Sequence, residues 1–257
     1  MLDIIYEFLK EEKSGLEARE IAQRFLKIVC ISECLSQRVI SAILGQDGRF
    51  ILTPDSRWRV KEEASLLDRK ISSLSFVVVD VETTGQAPPE HRVTEVGAVK
   101  VEDGGVAGTF SSLVNPGRNI PPEISALTGI SEEMVRHSPP WAFIWPYFKH
   151  FLGQSIFIGH NAGFDLGFIN SEMKLAGEDG LNNEKLCTVK LARRLLKELP
   201  DHKLDTVAAY YRISLDGRHR GLGDALITAK VFLAFLARFQ EMGLTTLREV
   251  KELEKGL

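Results

Sequence analysis

The spacing of apolar residues predicts that the chain opens with a group of helices. Apolar side chains recur at helical intervals over Ile4–Leu9, over 16–26 and over 32–44, and Gly45 ends the third segment. Two short runs, 49–52 and 57–60, flank Thr-Pro-Asp-Ser and predict a β-hairpin. The first 60 residues therefore predict three helices followed by a hairpin.

After a charged and then Leu/Ser-rich linker over 61–74, strands alternate with helices. Phe76–Val79 is a continuous apolar run and predicts a strand that is buried on both faces. The remaining predicted elements are strands over 92–101, 108–114 and 155–159, a loop with short helical turns over 120–135, and helices over 140–152, 161–175, 186–199, 203–211 and from about 221 to 239. Pro146 should kink or divide its helix. A charged amphipathic helix with a solvated face is predicted at 245–255. This order indicates an α/β domain.

Length and charge narrow the class of protein. The 257 residues can hold two modest domains, and the change of pattern predicts domains over 1–70 and 71–257. A net charge of −3 and an isoelectric point near 6.1 exclude a globally basic nucleic-acid-binding chain. Any contact with nucleic acid therefore requires a local patch.

Cysteine usage and hydropathy indicate a cytoplasmic protein. Cys30, Cys34 and Cys187 show no Cys-x-x-Cys spacing, so we expect reduced, buried thiols. The first apolar segment carries Asp3 and Glu7, unlike a signal peptide. Because no apolar run reaches the ~18 residues that a membrane span needs, we expect no membrane association.

Candidate chemistry begins at the end of the buried strand, where Asp80 and Glu82 stand two residues apart. Strand side chains alternate, so both carboxylates should point to the same face of the sheet. Like charges on a buried strand repel each other and need a compensating cation. Carboxylate oxygens are preferred ligands of Mg²⁺ and Mn²⁺, and downstream residues favour such a metal over two solvated acids.

Two downstream stretches should bring further polar residues to this edge of the sheet. Asn161 is expected to cap a helix that carries Asp165, and His219 precedes a long helix that carries Asp224. Converging carboxylates become favourable around two divalent ions ~3.5–4 Å apart, which also assist in-line phosphoryl displacement. His219 can take the proton of an attacking water. The predicted reaction is metal-assisted hydrolysis of a phosphodiester.

The same stretches resemble the three exonuclease motifs of the DEDDh family, above all those of the DNA polymerase III epsilon (proofreading) group. They are Val-Asp-Val-Glu-Thr-Thr-Gly (79–85), Gly-His-Asn-Ala-Gly-Phe-Asp (159–165) and His-Arg-Gly-Leu-Gly-Asp-Ala (219–225). Segments 94–99, 127–130 and 187–192 agree in order and spacing, so the resemblance covers about residues 74–240. One departure is Gly221, where the family often has alanine and where we expect glycine to loosen the loop.

The resemblance implies an RNase H-like exonuclease fold, with a mixed five-stranded sheet flanked by helices. It implies two Mg²⁺ or Mn²⁺ ions on Asp80, Glu82, Asp165 and Asp224, with His219 as general base. The implied activity is 3′→5′ removal of nucleoside monophosphates from single-stranded or frayed DNA ends in proofreading or repair, with a DNA polymerase subunit as a candidate partner. The implied substrate-binding residues are Thr83, Thr84, Leu127, Thr128, His160 and Phe164. Two structural roles stay open beside substrate contact: His160 could cap the helix, and Phe164 could belong to the core.

The first segment resembles a small winged helix-turn-helix domain. Its third helix offers Gln37 and Arg38 to DNA, and its wing offers Arg57 and Arg59. This basic content is modest, so both DNA contact and a protein-docking or scaffolding role stay open. Two alternatives to the DNA exonuclease follow: an RNA-trimming 3′→5′ exonuclease on the same scaffold, and a nucleic-acid-binding adaptor that acts through this domain.

Overall fold

The computed structural model describes residues 1–29, 32–61 and 65–256. The chain divides into two compact units, Met1–Ala64 and Ser65–Leu257. Cys30 and residues 62–64 of the predicted linker lie outside the described residues. Cys34 is exposed, which corrects the expectation of a buried thiol, whereas Cys187 is buried. Where the chain is described, none of its helices combines the length and apolar character that a membrane span requires.

The described part of the first unit contains the predicted helices and hairpin. Its elements are α1 (Leu2–Glu11), β1 (Leu16–Glu17), α2 (Ala18–Leu26), α3 (Glu33–Leu44), β2 (Phe50–Leu52) and β3 (Arg57–Val60). The strands form an antiparallel sheet of order β1-β3-β2. Ile5, Ile21, Ile40, Leu44 and Trp58 are buried in the core of this unit.

One boundary in this unit differs from the sequence prediction. Leu16 and Glu17 were expected to begin a helix, but they pair with β3 as a short strand. The helix begins at Ala18, where Glu17 and Glu20 form a reciprocal capping box. Pairing to the hairpin therefore overrides the helical periodicity of these two residues.

The second unit contains, in its described residues, a mixed five-stranded sheet of order β6-β5-β4-β7-β8. Its strands are β4 (Phe76–Thr83), β5 (Val93–Glu102), β6 (Gly105–Leu113), β7 (Ile156–Gly159) and β8 (Lys185–Cys187). The β4, β5 and β6 strands are antiparallel neighbours, whereas β4, β7 and β8 run parallel. The predicted α/β class and mixed sheet are confirmed.

Helices cover both faces of this sheet. These helices are α6 (Trp141–Leu152), α7 (Ala162–Leu175), α8 (Thr188–Leu195), α9 (Leu204–Tyr210), α10 (Gly221–Glu241) and α11 (Leu247–Lys255), whereas the short helices α4 (Pro122–Thr128) and α5 (Glu132–Arg136) pack in a separate small core. Alternate residues of β4 face two separate cores. Phe76 and Val78 pack in a core with α8, α9, α10 and α11. Val77, Val79 and Val81 pack in a core with α6 and α7.

Three predictions for this unit need correction. Residues 186–187 belong to β8 rather than to a helix, because they pair with β7. Pro146 does not divide α6, since Trp145 and Phe148 anchor the helix in the core on both sides of the proline, whereas a kink at Pro146 stays a prediction. The C-terminal helix α11 was expected to be a solvated face, but it buries Leu247 and Val250.

Candidate active site

Asp80 and Glu82 lie on the same face of β4, the face whose apolar residues pack against α10. This follows from the alternation of the strand, because Phe76 and Val78 share the core to which α10 contributes. The register shifts directly after Glu82, between Glu82 and Thr83. Such an irregularity bends a strand and aims side chains away from the regular ladder. It lies where β4 ends and the carboxylates reach the edge of the sheet.

The first turn of α10 brings Asp224 to this face. Gly221, the first residue of α10, lies against Gly97 of β5, and Gly97 pairs with Asp80 on β4. A methyl group added at Gly97 would lie 2.1 Å from the carbonyl carbon of Gly221. Gly221 is buried, so it does not loosen a loop as expected from the sequence. The two glycines allow the helix to approach the strand closely enough to deliver Asp224.

One carboxylate oxygen from each of Asp80, Glu82 and Asp224 lies within 4.8 Å of the others. The Asp224 Oδ1 atom is buried and has no hydrogen-bond partner among the described residues. Asp165 is adjacent but differently oriented, because its Oδ1 accepts a hydrogen bond from the Val81 backbone N–H at 3.1 Å. It reaches β4 from α7, on the opposite side of the sheet from α10. The structure thus groups three of the four predicted carboxylates and places the fourth beside them.

The electrostatics show a deficit of positive charge. Burial, and next the charges of Asp165, Asp224 and Glu82, raise the pKa of Asp80 well above its ordinary value. Burial and the charge of Asp224 raise the pKa of Glu82 to about 7. Burial also raises the pKa of Asp165 to about 7, although the Val81 N–H favours its charged form. An all-oxygen donor set with this deficit suits a hard divalent cation.

The loop before α10 holds His219, which is exposed and has a backbone φ of +61°. This left-handed conformation is uncommon outside glycine, and such residues concentrate at functional sites. The His219 backbone N–H donates to Asp224 Oδ2 at 3.2 Å. This bond places the backbone of His219 beside Asp224.

Two ion pairs near this loop involve residues that the sequence analysis did not assign to the site. Arg218 Nη1 donates to Asp224 Oδ2 at 2.6 Å. Arg220 contacts both oxygens of Glu95 through Nε and Nη2, at 3.0 and 2.7 Å, and Glu95 also accepts from the Gly221 N–H at 2.8 Å. Glu95 is buried and pairs with Glu82 across the sheet. The position of Glu95 in an otherwise apolar strand indicates that this acid needs a charged partner. Only the structure identifies that partner as Arg220.

The predicted substrate residues Thr83 and Thr84 lie directly beyond the carboxylates, and both are buried. Thr83 Oγ1 donates to the Gly85 carbonyl at 2.5 Å. Thr84 Oγ1 accepts from the Arg92 N–H at 3.0 Å. Their hydroxyl groups therefore shape the loop after β4.

His160 and Phe164 flank the turn between β7 and α7. His160 Nδ1 lies 2.9 Å from Thr188 Oγ1, and burial lowers the pKa of the imidazole to about 4, so His160 is neutral near pH 7. The ring of Phe164 packs on Phe168, with centroids 4.9 Å apart. Asn161 occupies the predicted N-cap position, but it is left-handed and makes no side-chain capping bond there within the described chain.

Leu127 and Thr128 are at the end of α4, on a separate small core. Leu127 is 56% exposed, which leaves an apolar side chain available to a ligand. Thr128 is buried and donates to the Ile124 carbonyl at 2.9 Å, which is a structural role within the helix end. The structure therefore leaves Leu127 accessible to a ligand and gives Thr128 a structural role.

A mixed sheet of this topology with carboxylates from β4 and α10 at one edge defines the class of RNase H-like nuclease domains. The model of the family described as Exonuclease (RNase_T) matches residues 77–232. The chain belongs to this exonuclease family. The predictions of a nuclease domain and of an enzyme are confirmed.

Two relatives and two solved structures show how far the similarity extends. The chain is 39% identical over 202 residues to a Mycobacterium tuberculosis protein named as a bifunctional exonuclease/endonuclease; the match covers 76% of the chain but 30% of that protein. It is 37% identical over 183 residues to DNA polymerase III subunit epsilon of Aquifex aeolicus, with 71% of the chain and 91% of the subunit covered. The chain thus spans less than a third of the first relative.

Among solved structures, Exonuclease X in complex with 5′ overhanging duplex DNA is similar at a TM-score of 0.56 and 27% identity, over 69% of the chain and 99% of that protein. The nuclease domain of 3′hExo, described as a DEDDh family member bound to rAMP, matches with a TM-score of 0.58, 18% identity and coverage of 66% and 94%. At that identity the second structure supports the fold alone.

Proposed function

We propose that this chain is a metal-dependent 3′→5′ exonuclease that removes nucleoside monophosphates from single-stranded or frayed DNA ends. The observation that carries the proposal is the carboxylate group of Asp80, Glu82 and Asp224, whose oxygens lie within 4.8 Å of one another. Asp224 also has a buried oxygen without a hydrogen-bond partner in the described chain. Such a group is unfavourable without a cation and useful with one.

Asp80, Glu82, Asp165 and Asp224 would hold two divalent ions, Mg²⁺ or Mn²⁺. When bound, such a pair stabilises the attacking and leaving oxygens of a phosphodiester and lowers the pKa of a bound water. Asp80 and Glu82 present their carboxylates from the α10 side of β4, and Asp165 approaches from the α7 side. The two sides of the strand would therefore each contribute to the site.

His219 would remove the proton from the attacking water. Its exposure on the loop before α10 gives the imidazole access to solvent, to which it can return the proton. The bond from its backbone N–H to Asp224 and the neighbouring Arg220–Glu95 ion pair hold the loop in place. These contacts support a fixed position of the His219 backbone relative to Asp224.

The substrate would occupy the edge of the sheet next to these groups. Thr83 and Thr84 would contact the terminal nucleotide through the loop that they shape. His160 and Phe164 lie beside Asp165 in the chain, and Leu127 offers exposed apolar surface for stacking against a base. Thr128 would act indirectly, by fixing the helix end that carries Leu127.

We propose DNA rather than RNA as the substrate because one relative is named as a DNA polymerase III subunit and a similar structure contains duplex DNA. A polymerase subunit is a candidate partner on the same grounds, and a cytoplasmic location accords with it. The RNA-trimming alternative keeps the same scaffold and the same carboxylates. The two sugars differ only at the 2′ position, so direct comparison of substrates must decide.

For the first unit, we propose a winged helix-turn-helix module, based on its order of helices and its β2–β3 hairpin. The wing arginines Arg57 and Arg59 are paired with Glu17 and Asp55. Pairing reduces the charge that they offer to phosphates, so docking to a protein or scaffolding is favoured over DNA reading. The adaptor alternative would instead predict metal-independent binding of duplex DNA through this unit.

The test follows the digestion of 5′-labelled single-stranded DNA and RNA of identical sequence in Mg²⁺ and in Mn²⁺, with Asp165→Ala as the inactive control. We expect a ladder that shortens from the 3′ end of the DNA and is absent with the variant. Faster shortening of RNA would establish the RNA-trimming alternative. If neither strand shortens and duplex binding survives in Asp165→Ala, the adaptor function replaces the proposal.

A further inference from the structure

Arg218 bridges the carboxylate group and α9. Its Nη1 atom lies 2.6 Å from Asp224 Oδ2, and its Nε atom lies 2.5 Å from Asp205 Oδ1. The side chain of Arg218 is 22% exposed and that of Asp224 is 7% exposed, whereas the side chain of Asp205 is 53% exposed. A single guanidinium thus joins a buried acid of the site to an acid at the surface.

The two contacts of Arg218 differ in what they cost to break. The bond to Asp224 satisfies a buried carboxylate in a group short of positive charge, so it is valuable as long as no other cation is present. The bond to Asp205 lies nearer solvent and can persist when Asp224 is released. A divalent cation on Asp224 would repel Arg218 by Coulomb interaction at short range. The arginine and the cation therefore compete for the same carboxylate.

On the basis of the proposed function, we propose that Arg218 is the counter-ion of the metal-free site and that it releases Asp224, while keeping its contact with Asp205, when a divalent cation binds. The guanidinium would stabilise the carboxylates in the absence of metal. Asp205 would retain the guanidinium once Asp224 is occupied. Arg218 and Asp205 are positioning residues in this scheme, and they set how readily the site accepts its metal.

The scheme predicts opposite effects for the two partners of the bridge. Arg218→Gln removes the competing charge, so the chain should bind Mn²⁺ about tenfold more tightly, while its metal-free form unfolds at a lower temperature. Asp205→Asn removes the alternative partner, so Arg218 stays on Asp224 and Mn²⁺ should bind several-fold more weakly. A purely structural bridge would weaken metal binding in both variants.

The experiment is calorimetric titration of the full chain with Mn²⁺ at constant pH, with thermal unfolding in EDTA as a second measurement. Arg238→Gln is the matched control, because Arg238 also forms an ion pair on α10 but with exposed Glu241. We expect its affinity to equal that of the wild type. Tighter binding by Arg218→Gln with weaker binding by Asp205→Asn supports the scheme.

Any other combination of affinities overturns the scheme, including equal affinity in Arg218→Gln and wild type. The same titration distinguishes failure of the proposed function, because in that case the wild-type chain itself binds no Mn²⁺. If Arg218→Gln does not fold, Asp205→Asn decides alone, because Asp205 is at the surface and its substitution leaves the Arg218–Asp224 contact in place. Unchanged or tighter binding by that variant refutes the scheme.

Discussion

Replacing Gly97 by alanine should damage both stability and activity, because this residue sets the distance between β5 and α10. The added methyl carbon would lie 2.1 Å from the Gly221 carbonyl carbon and from the Leu222 nitrogen. Ordinary carbon contacts are ~3.5–4.0 Å, so the start of α10 would have to retreat by roughly 1.5 Å. Both colliding atoms belong to the backbone, so no side-chain rotation can relieve the overlap.

The structural cost can be bounded. Overpacking in a well-packed core costs about 1–3 kcal/mol, and a backbone collision belongs at or above the upper end. In a domain of this size about 1 kcal/mol corresponds to ~2–4 °C, so the Tm of Gly97→Ala should fall by about 6–12 °C. The retreat also carries Asp224 away from Asp80. Because a misplacement of about 1 Å can cost roughly 100-fold in rate, kcat should fall at least that far.

The measurement combines thermal unfolding in EDTA with initial rates on labelled single-stranded DNA in Mg²⁺. Gly221→Ala is the matched control from the other side of the contact. Its methyl would lie 3.0 Å from the Gly97 nitrogen and 3.2 Å from the Asp80 carbonyl oxygen. A shift of a few tenths of an ångström accommodates that group, so we expect a loss of about 1 kcal/mol or less. A Gly97→Ala chain with wild-type Tm and rate would refute this reasoning.

Three further predictions follow from the charges of the site. Without metal, the free energy of unfolding should fall as the pH rises from about 5 to about 8, because folding raises the pKa of Glu82 and Asp165 to about 7 and the unfolded chain releases these protons near pH 4. A pH series of chemical unfolding in EDTA measures this fall, and a flat profile contradicts it. Asp80→Asn should raise the Tm in EDTA above pH 7 while reducing exonuclease rate by at least about 1000-fold, since it removes a half-buried carboxylate that neighbouring acids repel and that is a proposed metal ligand; a variant that retains activity would exclude Asp80 from catalysis. Arg220→Met should destabilise the chain by about 3 kcal/mol because it leaves buried Glu95 without its guanidinium; Tm measurement with Arg238→Gln as the exposed-pair control tests this, and equal losses would show that the Glu95 pair adds nothing.

The sequence predicted the parts of the site that depend on local periodicity. Asp80 and Glu82 share a face because strand side chains alternate, and residues 219–224 hold a loop and a helix start because of their helix-initiating pattern. The α/β class followed from the alternation of strands and helices. These features depend on residues that are only a few positions apart in the sequence, so a local sequence pattern can predict them.

The sequence could not predict features that depend on distant residues. The Arg220–Glu95 pair joins positions 125 residues apart, and the Asp165–Val81 hydrogen bond spans 84. The local pattern predicts helix at Leu16 and at the start of β8. In the structure both pair with other strands, and this pairing outweighs local propensity. Gly221 was interpreted from loop flexibility, although its role depends on contact with Gly97.

The two cores on opposite sides of β4 have a consequence for the order in which the protein gains function. Asp224 is carried by a helix that packs in one core, and Asp165 by a helix that packs in the other. The carboxylates therefore come together only after both layers have docked on the central strand. During synthesis, a chain whose α10 is not yet translated lacks Asp224 and cannot complete the site. In the proposed mechanism, the complete set of four carboxylates therefore exists only once both layers have formed.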